Sequence, residues 1–149
     1  MGHVRKVIGG KTKISRNTFG WGTPTFFSPS ALNVLINHIT QGSTKMDEFE
    51  FSFEGHPNNT TKEHLRTLAR FGFDSVSYGI QDFDSKVQLT IHLIQPFERV
   101  KYVTEESRKA GYSSINFDLI YGLPYQTQET LWVTPHRHPE SCLAWDAAP

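Results

Sequence analysis

Strand-like and helix-like segments alternate along this chain, and the alternation limits the folds that it can adopt. Residues 49–53 alternate between Phe and polar side chains, residues 75–79 form a second short strand-like run, and residues 115–120 form a third, mostly apolar one. Helix-like segments separate these runs. Strands joined through helices pair in parallel, because each helix returns the chain to the same end of the sheet.

The first helix has a clear start. Ser28 can cap it, and Pro29 suits its first position because proline lacks an amide hydrogen and has a preset φ. Its predicted apolar stripe consists of Leu32, Leu35, Ile36 and Ile39.

Further helices are predicted between the strands. Thr60 and Glu63 have the spacing of a capping box, and Gly72 is placed to end the helix that they start. Residues 85–93 are predicted to be helical. Pro96 then opens a run that contains Val100, Val103 and Lys109 and that Gly111 ends, and another helix starts near Thr127.

These elements predict an α/β fold with a parallel sheet. A doubly wound sheet and part of a (β/α)-barrel both fit, and the chain supplies about half of the units of a closed eight-stranded barrel. Residues 17–132 would form this partial barrel domain. Residues 1–16 are predicted to be a basic tail or an ill-defined first strand, and residues 133–149 an irregular tail. Open sheet edges predict self-association.

Composition narrows the classes of function. Cys142 is the single cysteine, which excludes an intramolecular disulfide framework and fits the cytoplasm. No apolar run approaches the roughly 20 residues of a membrane span, and the N-terminus has no signal-like apolar region, so no membrane partner is predicted. The first 46 residues contain no acid, but no nucleic-acid motif accompanies their basic residues, so a solvated tail is favoured over nucleic-acid binding.

Metal and nucleophile motifs are weak. His136, His138 and Cys142 lie in a Pro-rich tail without a ligand spacing that stands out, and Cys142 has no catalytic partner pattern. The sequence therefore predicts no metal site and no catalytic residue.

Polar side chains stand at the carboxyl ends of the predicted strands, where parallel sheets bind ligands. Glu54 ends the first run, Gln81 follows the second, and Asp118 interrupts the third. Each could merely cap a helix or bridge loops. Taken together on one rim, they favour a polar ligand that carries hydroxyls or an amine.

Four ordered blocks resemble a known family. The stretch GWGTPT (residues 20–25) is similar to the Gly-Gly-Gly-Thr-Pro-Thr turn of radical S-adenosylmethionine enzymes, and FEGHP (53–57), SYGIQDF (77–83) and NFDLIYGLP (116–124) follow in the family's order and approximate spacing. The QDF block with Val87 and Gln88 resembles the oxygen-independent coproporphyrinogen III oxidases. The resemblance covers roughly residues 19–131.

The resemblance implies a partial (β/α)-barrel and a place in haem biosynthesis. Members of the family use a 4Fe–4S cluster to cleave S-adenosylmethionine, and the resulting radical starts the decarboxylation of coproporphyrinogen III propionates to vinyl groups. By the same resemblance, Gly20, Gly22, Thr23 and Glu54 would meet the methionine end of the cofactor, and Gln81 and Asp118 would hold its ribose hydroxyls.

The chain also departs from the family. The family's C-x-x-x-C-x-x-C cluster motif is missing, because no cysteine precedes Cys142. Trp21 occupies the middle glycine of the turn, and Leu93 stands where the family has an arginine for the methionine carboxylate. We therefore expect no 4Fe–4S cluster and weak or absent S-adenosylmethionine binding.

Two functions follow from these observations. In the first, the chain is an incomplete coproporphyrinogen oxidase that is inactive alone. In the second, it is a non-catalytic module that binds a nucleotide-like ligand or a protein partner.

Overall fold

The described residues form four strands with one or two helices between successive strands. A computed structural model describes residues 12–19, 23–41 and 43–129. The strands are β1 (Thr12–Phe19), β2 (Ser43–Gly55), β3 (Ser75–Gln81) and β4 (Ser114–Leu119). The helices are α1 (Pro29–Thr40), α2 (Lys62–Arg70), α3 (Ser85–Thr90) and α4 (Phe97–Lys109), and a short 3-10 helix (Pro24–Phe26) precedes α1.

The strands form one sheet in the order β1-β2-β3-β4, and each neighbouring pair is parallel. This confirms the predicted α/β class. A doubly wound sheet reverses its strand order at a switch point, whereas in the described part of this chain the strand order follows the chain order, as in a (β/α)-barrel. The partial barrel is therefore the correct one of the two predicted architectures.

The first two strands are longer than their local sequence indicates. The sequence predicts a tail or an ill-defined strand for residues 1–16, but β1 begins at Thr12 and continues to Phe19. The sequence predicts the next strand only from Phe49, whereas β2 begins at Ser43. The two extensions pair with each other, with Thr12 opposite Ser43. Pairing between distant parts of the chain therefore forms these strand segments, although their polar local pattern does not indicate strands.

Helix starts are partly as predicted. Ser28 caps α1 by accepting a hydrogen bond from the Ala31 amide, with Pro29 at the first helical position. The predicted Thr60–Glu63 capping box is wrong, because the box lies one residue later at Thr61 and His64.

Helix ends follow the glycine signals where φ is positive. Gly72 (φ 89°) and Gly111 (φ 94°) lie directly after the ends of α2 and α4, as predicted. By contrast, α3 ends at Thr90 rather than at residue 93, because the chain turns at Ile91 and at His92, which has a φ of 56°.

The apolar core lies between one face of the sheet and helices α1, α2 and α4. It includes Phe51, Phe53, Val76, Tyr78, Ile80, Leu32, Ile36, Leu65, Leu68, Val100 and Val103. Only half of the predicted α1 stripe belongs to it, since Leu35 and Ile39 are exposed. In the portion of the chain described, no helix has the length and apolar character needed to cross a membrane.

Candidate functional site

The sheet has a covered face and an open face. Along β3, every second residue is buried beneath the helices, and the residues between them remain partly open. In β2 the same alternation buries Phe53 and exposes Glu54. The open face, as we use the term, consists of Ser52, Glu54, Ser75, Ser77, Gly79, Gln81, Ser114, Asn116 and Asp118.

The strand register places the predicted polar residues on this open face. Glu54 pairs with Ser77, which in turn pairs with Asn116, and Gly79 pairs with Asp118 two residues further along. Neighbouring strands lie about 4.8 Å apart and successive same-face residues about 6.6 Å apart, so the backbones of Glu54 and Asp118 are on the order of 12 Å from each other. The two carboxylates thus stand on either side of β3.

Gln81 has an unusual backbone conformation. Its φ is 68°, and the Asp82 amide donates to the Ile80 carbonyl at 2.9 Å, which closes a three-residue γ-turn around it. The turn sense with positive φ is rare and strained for a residue with a side chain. The β3–β4 ladder shifts its register at this point.

Gly79 provides the space into which the Gln81 side chain folds. A Cβ atom on Gly79 would lie 3.0 Å from Nε2 of Gln81, so the Gln81 amide lies over Gly79 on the open face. Because Gly79 pairs with Asp118, the amide and that carboxylate are neighbours across the β3–β4 ladder. A glycine inside a strand signals such a close approach, but the sequence does not say which group approaches.

The loop after β1 is fixed to the loop after β2. Thr23 opens the 3-10 helix, and its carbonyl accepts a hydrogen bond from the Phe26 amide. Two residues on, the buried Thr25 accepts a hydrogen bond from the Thr60 hydroxyl at 3.2 Å. His64 donates through Nε2 to the Phe27 carbonyl at 2.8 Å, while its Nδ1 accepts from the Thr61 amide. These contacts place Thr23 at the rim near β2.

Gly55, the residue after Glu54, allows a close approach on the covered face. A Cβ atom on Gly55 would lie 2.8 Å from the Tyr78 ring. The Tyr78 hydroxyl is hydrogen-bonded to Ser107 at 2.8 Å, and burial raises the pKa of this phenol. Tyr78 and Ser107 are therefore packed on the covered face, on the side of the sheet opposite Glu54.

Buried amides support the backbone of Gly79 from below. Gln95, which is 1% exposed, donates from Nε2 to the Gly79 carbonyl at 2.9 Å. Gln88 accepts from the Gln95 amide and donates to the Gln95 carbonyl. His56 lies 3.3 Å from Gln95 Nε2, and burial lowers the pKa of its imidazole. The sequence does not indicate this network, because Gln88 and Gln95 meet only after the turn at residues 91–94 has formed.

The surroundings of several candidate residues differ from those that the sequence predicts. The sequence suggests that Asp118 interrupts a buried strand, but its side chain is exposed because one face of β4 is uncovered. Leu93 is partly buried, and its amide donates to the Gln88 carbonyl. Six residues named in the predictions lie outside the described part of the chain: Gly20, Trp21, Gly22, His136, His138 and Cys142.

The family comparison supplies the decisive observation. A model of the radical SAM superfamily matches residues 4–136 of this chain. This chain belongs to the radical SAM superfamily. The predicted family resemblance is therefore confirmed.

Two relatives of this radical SAM chain carry the same name. It is 47% identical over 118 residues to the oxygen-independent coproporphyrinogen III oxidase of Helicobacter pylori (strain J99), which covers 78% of this chain and 26% of the relative. The enzyme of that name from Cereibacter sphaeroides (strain ATCC 17025) is 37% identical over 131 residues, covering 88% and 29%.

A solved structure agrees with the sequence relatives. Coproporphyrinogen III oxidase (HemN) from Escherichia coli, described as a radical SAM enzyme, superimposes with a TM-score of 0.80 at 32% identity and covers 86% of this chain and 30% of that one. The chain thus spans less than a third of the length of these relatives.

The two groups that the family implies fit this chain unequally. The open face offers carboxylates at Glu54 and Asp118 and an amide at Gln81, which suit the amine and the diol of S-adenosylmethionine. A 4Fe–4S cluster is held by several cysteine thiolates, and this chain has one cysteine. In the described ranges, no group of His, Cys, Asp and Glu has the arrangement of a metal site. The residues present therefore fit the cofactor and do not fit the cluster.

Proposed function

We propose that this chain binds S-adenosylmethionine weakly on its open face and forms the cofactor-binding part of a coproporphyrinogen III oxidase type of site. The observation that carries the proposal is the pairing of Gly79 with Asp118, with the Gln81 amide folded over Gly79. An amide that lies over a bare backbone position, opposite a carboxylate residue on the paired strand, leaves room for a flat, hydroxylated ligand.

We assign the two ends of the cofactor to different parts of the open face. Gln81 and Asp118 would hold the ribose hydroxyls, and Glu54, on the far side, would meet the methionine amine. Thr23 would meet the same end of the cofactor, since the Thr60–Thr25 hydrogen bond joins its loop to the loop after β2. By the family resemblance, Gly20 and Gly22, which lie outside the described residues, would contribute to this end.

Affinity should be low. The sequence offers Leu93 where the family has an arginine, and a lost charge-assisted contact to a carboxylate typically removes a few kcal/mol. Trp21 adds bulk in the turn. We expect binding in the high micromolar range or weaker, on the order of −5 kcal/mol.

Ligand-observed NMR titration with S-adenosylmethionine tests this proposal, because it measures millimolar affinities. Asp118→Ala should weaken binding about tenfold or more, since a hydrogen bond to a charged group contributes about 1.5–3 kcal/mol. Asp74→Ala is the matched control, because Asp74 is an exposed carboxylate at the opposite, amino end of β3. Equal affinity in both variants, or nanomolar binding to the parent chain, would contradict the proposed site.

Catalysis should be absent from the isolated chain. Relatives named coproporphyrinogen III oxidases suggest that coproporphyrinogen III is the substrate of the complete site, but one thiolate cannot hold the cluster that donates the electron. Anaerobic reconstitution followed by iron and sulfide analysis should give a colourless protein. A near-stoichiometric cluster with visible absorbance would overturn this part of the proposal.

Self-association through β4 is the second proposed property. β4 is the outermost strand on its side of the described sheet, and exposed apolar side chains follow it at Ile120 and Tyr121. An unpaired strand edge pairs readily with another chain. Light scattering over a dilution series should show dimers or larger species, and a chain that stays monomeric at every concentration would contradict the idea.

A further inference from the structure

Asp82 is a buried carboxylate that the proposed site does not use. It is 3% exposed, and both of its oxygens accept hydrogen bonds from uncharged donors. Oδ1 accepts from the Asp84 amide at 2.6 Å, and Oδ2 accepts from Gln126 Nε2 at 2.5 Å. Burying a carboxylate costs several kcal/mol unless hydrogen bonds compensate, and these two bonds provide that compensation.

The backbone of Asp82 is held as firmly as its side chain. Its amide closes the γ-turn by donating to Ile80, and its carbonyl accepts from Gln88 Nε2 at 2.7 Å. Asp82 therefore has four separate attachments. A strained backbone conformation persists only where its surroundings overdetermine it, and these attachments surround the strained turn at Gln81.

Gln126 connects this turn to the loop after β4. Its Oε1 accepts from the amides of Gly122 and Leu123, at 2.7 and 3.2 Å. Its Nε2 donates to the Ile120 carbonyl at 2.8 Å as well as to Asp82, so both donors and both acceptor positions of the amide are used. Since the Ile120 amide also donates to the Gln81 carbonyl, the loop after β4 and the turn after β3 form one unit.

We propose that Asp82 and Gln126 are positioning residues that hold the γ-turn and thereby keep the Gln81 amide over Gly79, next to Asp118. This inference rests on the proposed function for its consequence in binding. Neither residue reaches the open face itself. Asp82 is buried behind the rim, and the Gln126 amide is fully engaged by Asp82 and the loop.

Reversing the hydrogen bond tests the pair. Gln126→Glu places two carboxylates face to face, whereas the double variant Asp82→Asn with Gln126→Glu restores an amide–carboxylate bond and the parent charge. Gln128→Glu is the matched control, because Gln128 is exposed two residues further on. The double variant separates loss of this bond from a general effect of substitution.

Hydrogen exchange of the full chain gives the first measurement. Gln126→Glu should raise exchange at residues 81–84 and 120–126 about tenfold, leave residues 76–78 in β3 unchanged, and be partly rescued in the double variant. The Gln81 side-chain amide signal in NMR should move toward its solvent-exposed position in Gln126→Glu and return in the double variant. Unchanged exchange and an unchanged Gln81 signal in Gln126→Glu would overturn the proposal.

Affinity gives the second measurement. S-adenosylmethionine binding should weaken at least fivefold in Gln126→Glu and recover in the double variant. Increased exchange with unchanged affinity would mean that the pair is merely structural, which overturns the positioning role. If the parent chain binds no S-adenosylmethionine, the proposed function fails, and the Gln81 amide signal alone then decides the positioning role.

Discussion

The covered and open faces of β3 belong to the same seven residues but meet different physical demands. Val76, Tyr78 and Ile80 are fully buried against helices, whereas Ser77 and Gly79 carry little side chain at all. On the covered face, packed volume determines stability, because removed atoms leave a cavity. On the open face, the missing side chain of Gly79 leaves the room that the Gln81 amide occupies. Alternate residues of β3 therefore have different roles: those on the covered face stabilise the fold, and those on the open face leave room for a ligand.

The largest effect should come from breaking the covered face. Tyr78→Ala removes a fully buried ring that packs on Gly55 and is stacked with Phe117 at a centroid distance of 6.4 Å. We expect it to lower the free energy of unfolding by about 3–5 kcal/mol in urea denaturation. Ser77→Ala, one residue earlier on the open face, should change it by less than about 0.5 kcal/mol.

A milder variant keeps this test informative if Tyr78→Ala does not fold. Tyr78→Phe removes only the hydroxyl that is hydrogen-bonded to Ser107, whose own hydroxyl can still donate to the Val103 carbonyl. The expected loss is about 1 kcal/mol. Equal losses in Ser77→Ala and Tyr78→Phe would contradict the division between the two faces.

The fold was predictable where local signals determine it. Ser28 with Pro29, and glycines at Gly72 and Gly111, mark helix ends through backbone chemistry that acts within a few residues. The start of β2 at Ser43 was not predictable in this way, because its pairing with β1 is non-local. The capping box moved to His64, whose ring also bonds the Phe27 carbonyl, a partner 37 residues away in the chain.

The location of the candidate residues at strand ends was predictable, but their detailed geometry was not. Strand ends gave Glu54, Gln81 and Asp118, because parallel strands present their carboxyl ends on one rim. Nothing in the local sequence indicates that Gln81 has a φ of 68°, since glycine or asparagine is the usual residue at positive φ. The γ-turn depends on Asp82 and on Gln126, 44 residues further on, so only the folded chain shows it.

The second largest effect is expected from a substitution that changes the open face alone. Gly79→Ala places a methyl group 3.0 Å from Gln81 Nε2, so the amide has to shift by a few tenths of an ångström. We expect S-adenosylmethionine affinity to fall about tenfold, roughly 1.4 kcal/mol, in the NMR titration. Ser75→Ala on the same face, at the amino end of β3, serves as the control and should bind as the parent does. Unchanged affinity in Gly79→Ala would remove Gln81 from the site.

A smaller effect is expected from a substitution to glycine that raises the free energy of unfolding, whereas such a substitution usually lowers it. Gln81→Gly relieves the strain of positive φ and should raise the free energy of unfolding by up to about 1 kcal/mol while weakening ligand binding. Ser77→Gly, in extended backbone of the same strand, should lower it by about 0.5–1 kcal/mol. Opposite signs in urea denaturation would support a turn strained for function. Destabilisation in both variants would contradict it.

The smallest effect concerns pH and lies where the two faces meet. His56 Nδ1 accepts a hydrogen bond from the Asn58 amide, and its ring lies beside Gln95, which supports Gly79 from below. Burial lowers the pKa of His56 below its ordinary 6.5, so the unfolded chain binds a proton more readily than the folded one. The free energy of unfolding should therefore fall as pH drops from about 6.5 toward the lowered folded pKa. His56→Gln should flatten this slope in thermal unfolding between pH 7 and 5. An identical slope in the parent and in His56→Gln would show that burial does not lower the pKa of this imidazole. The covered face would then not extend beneath the rim.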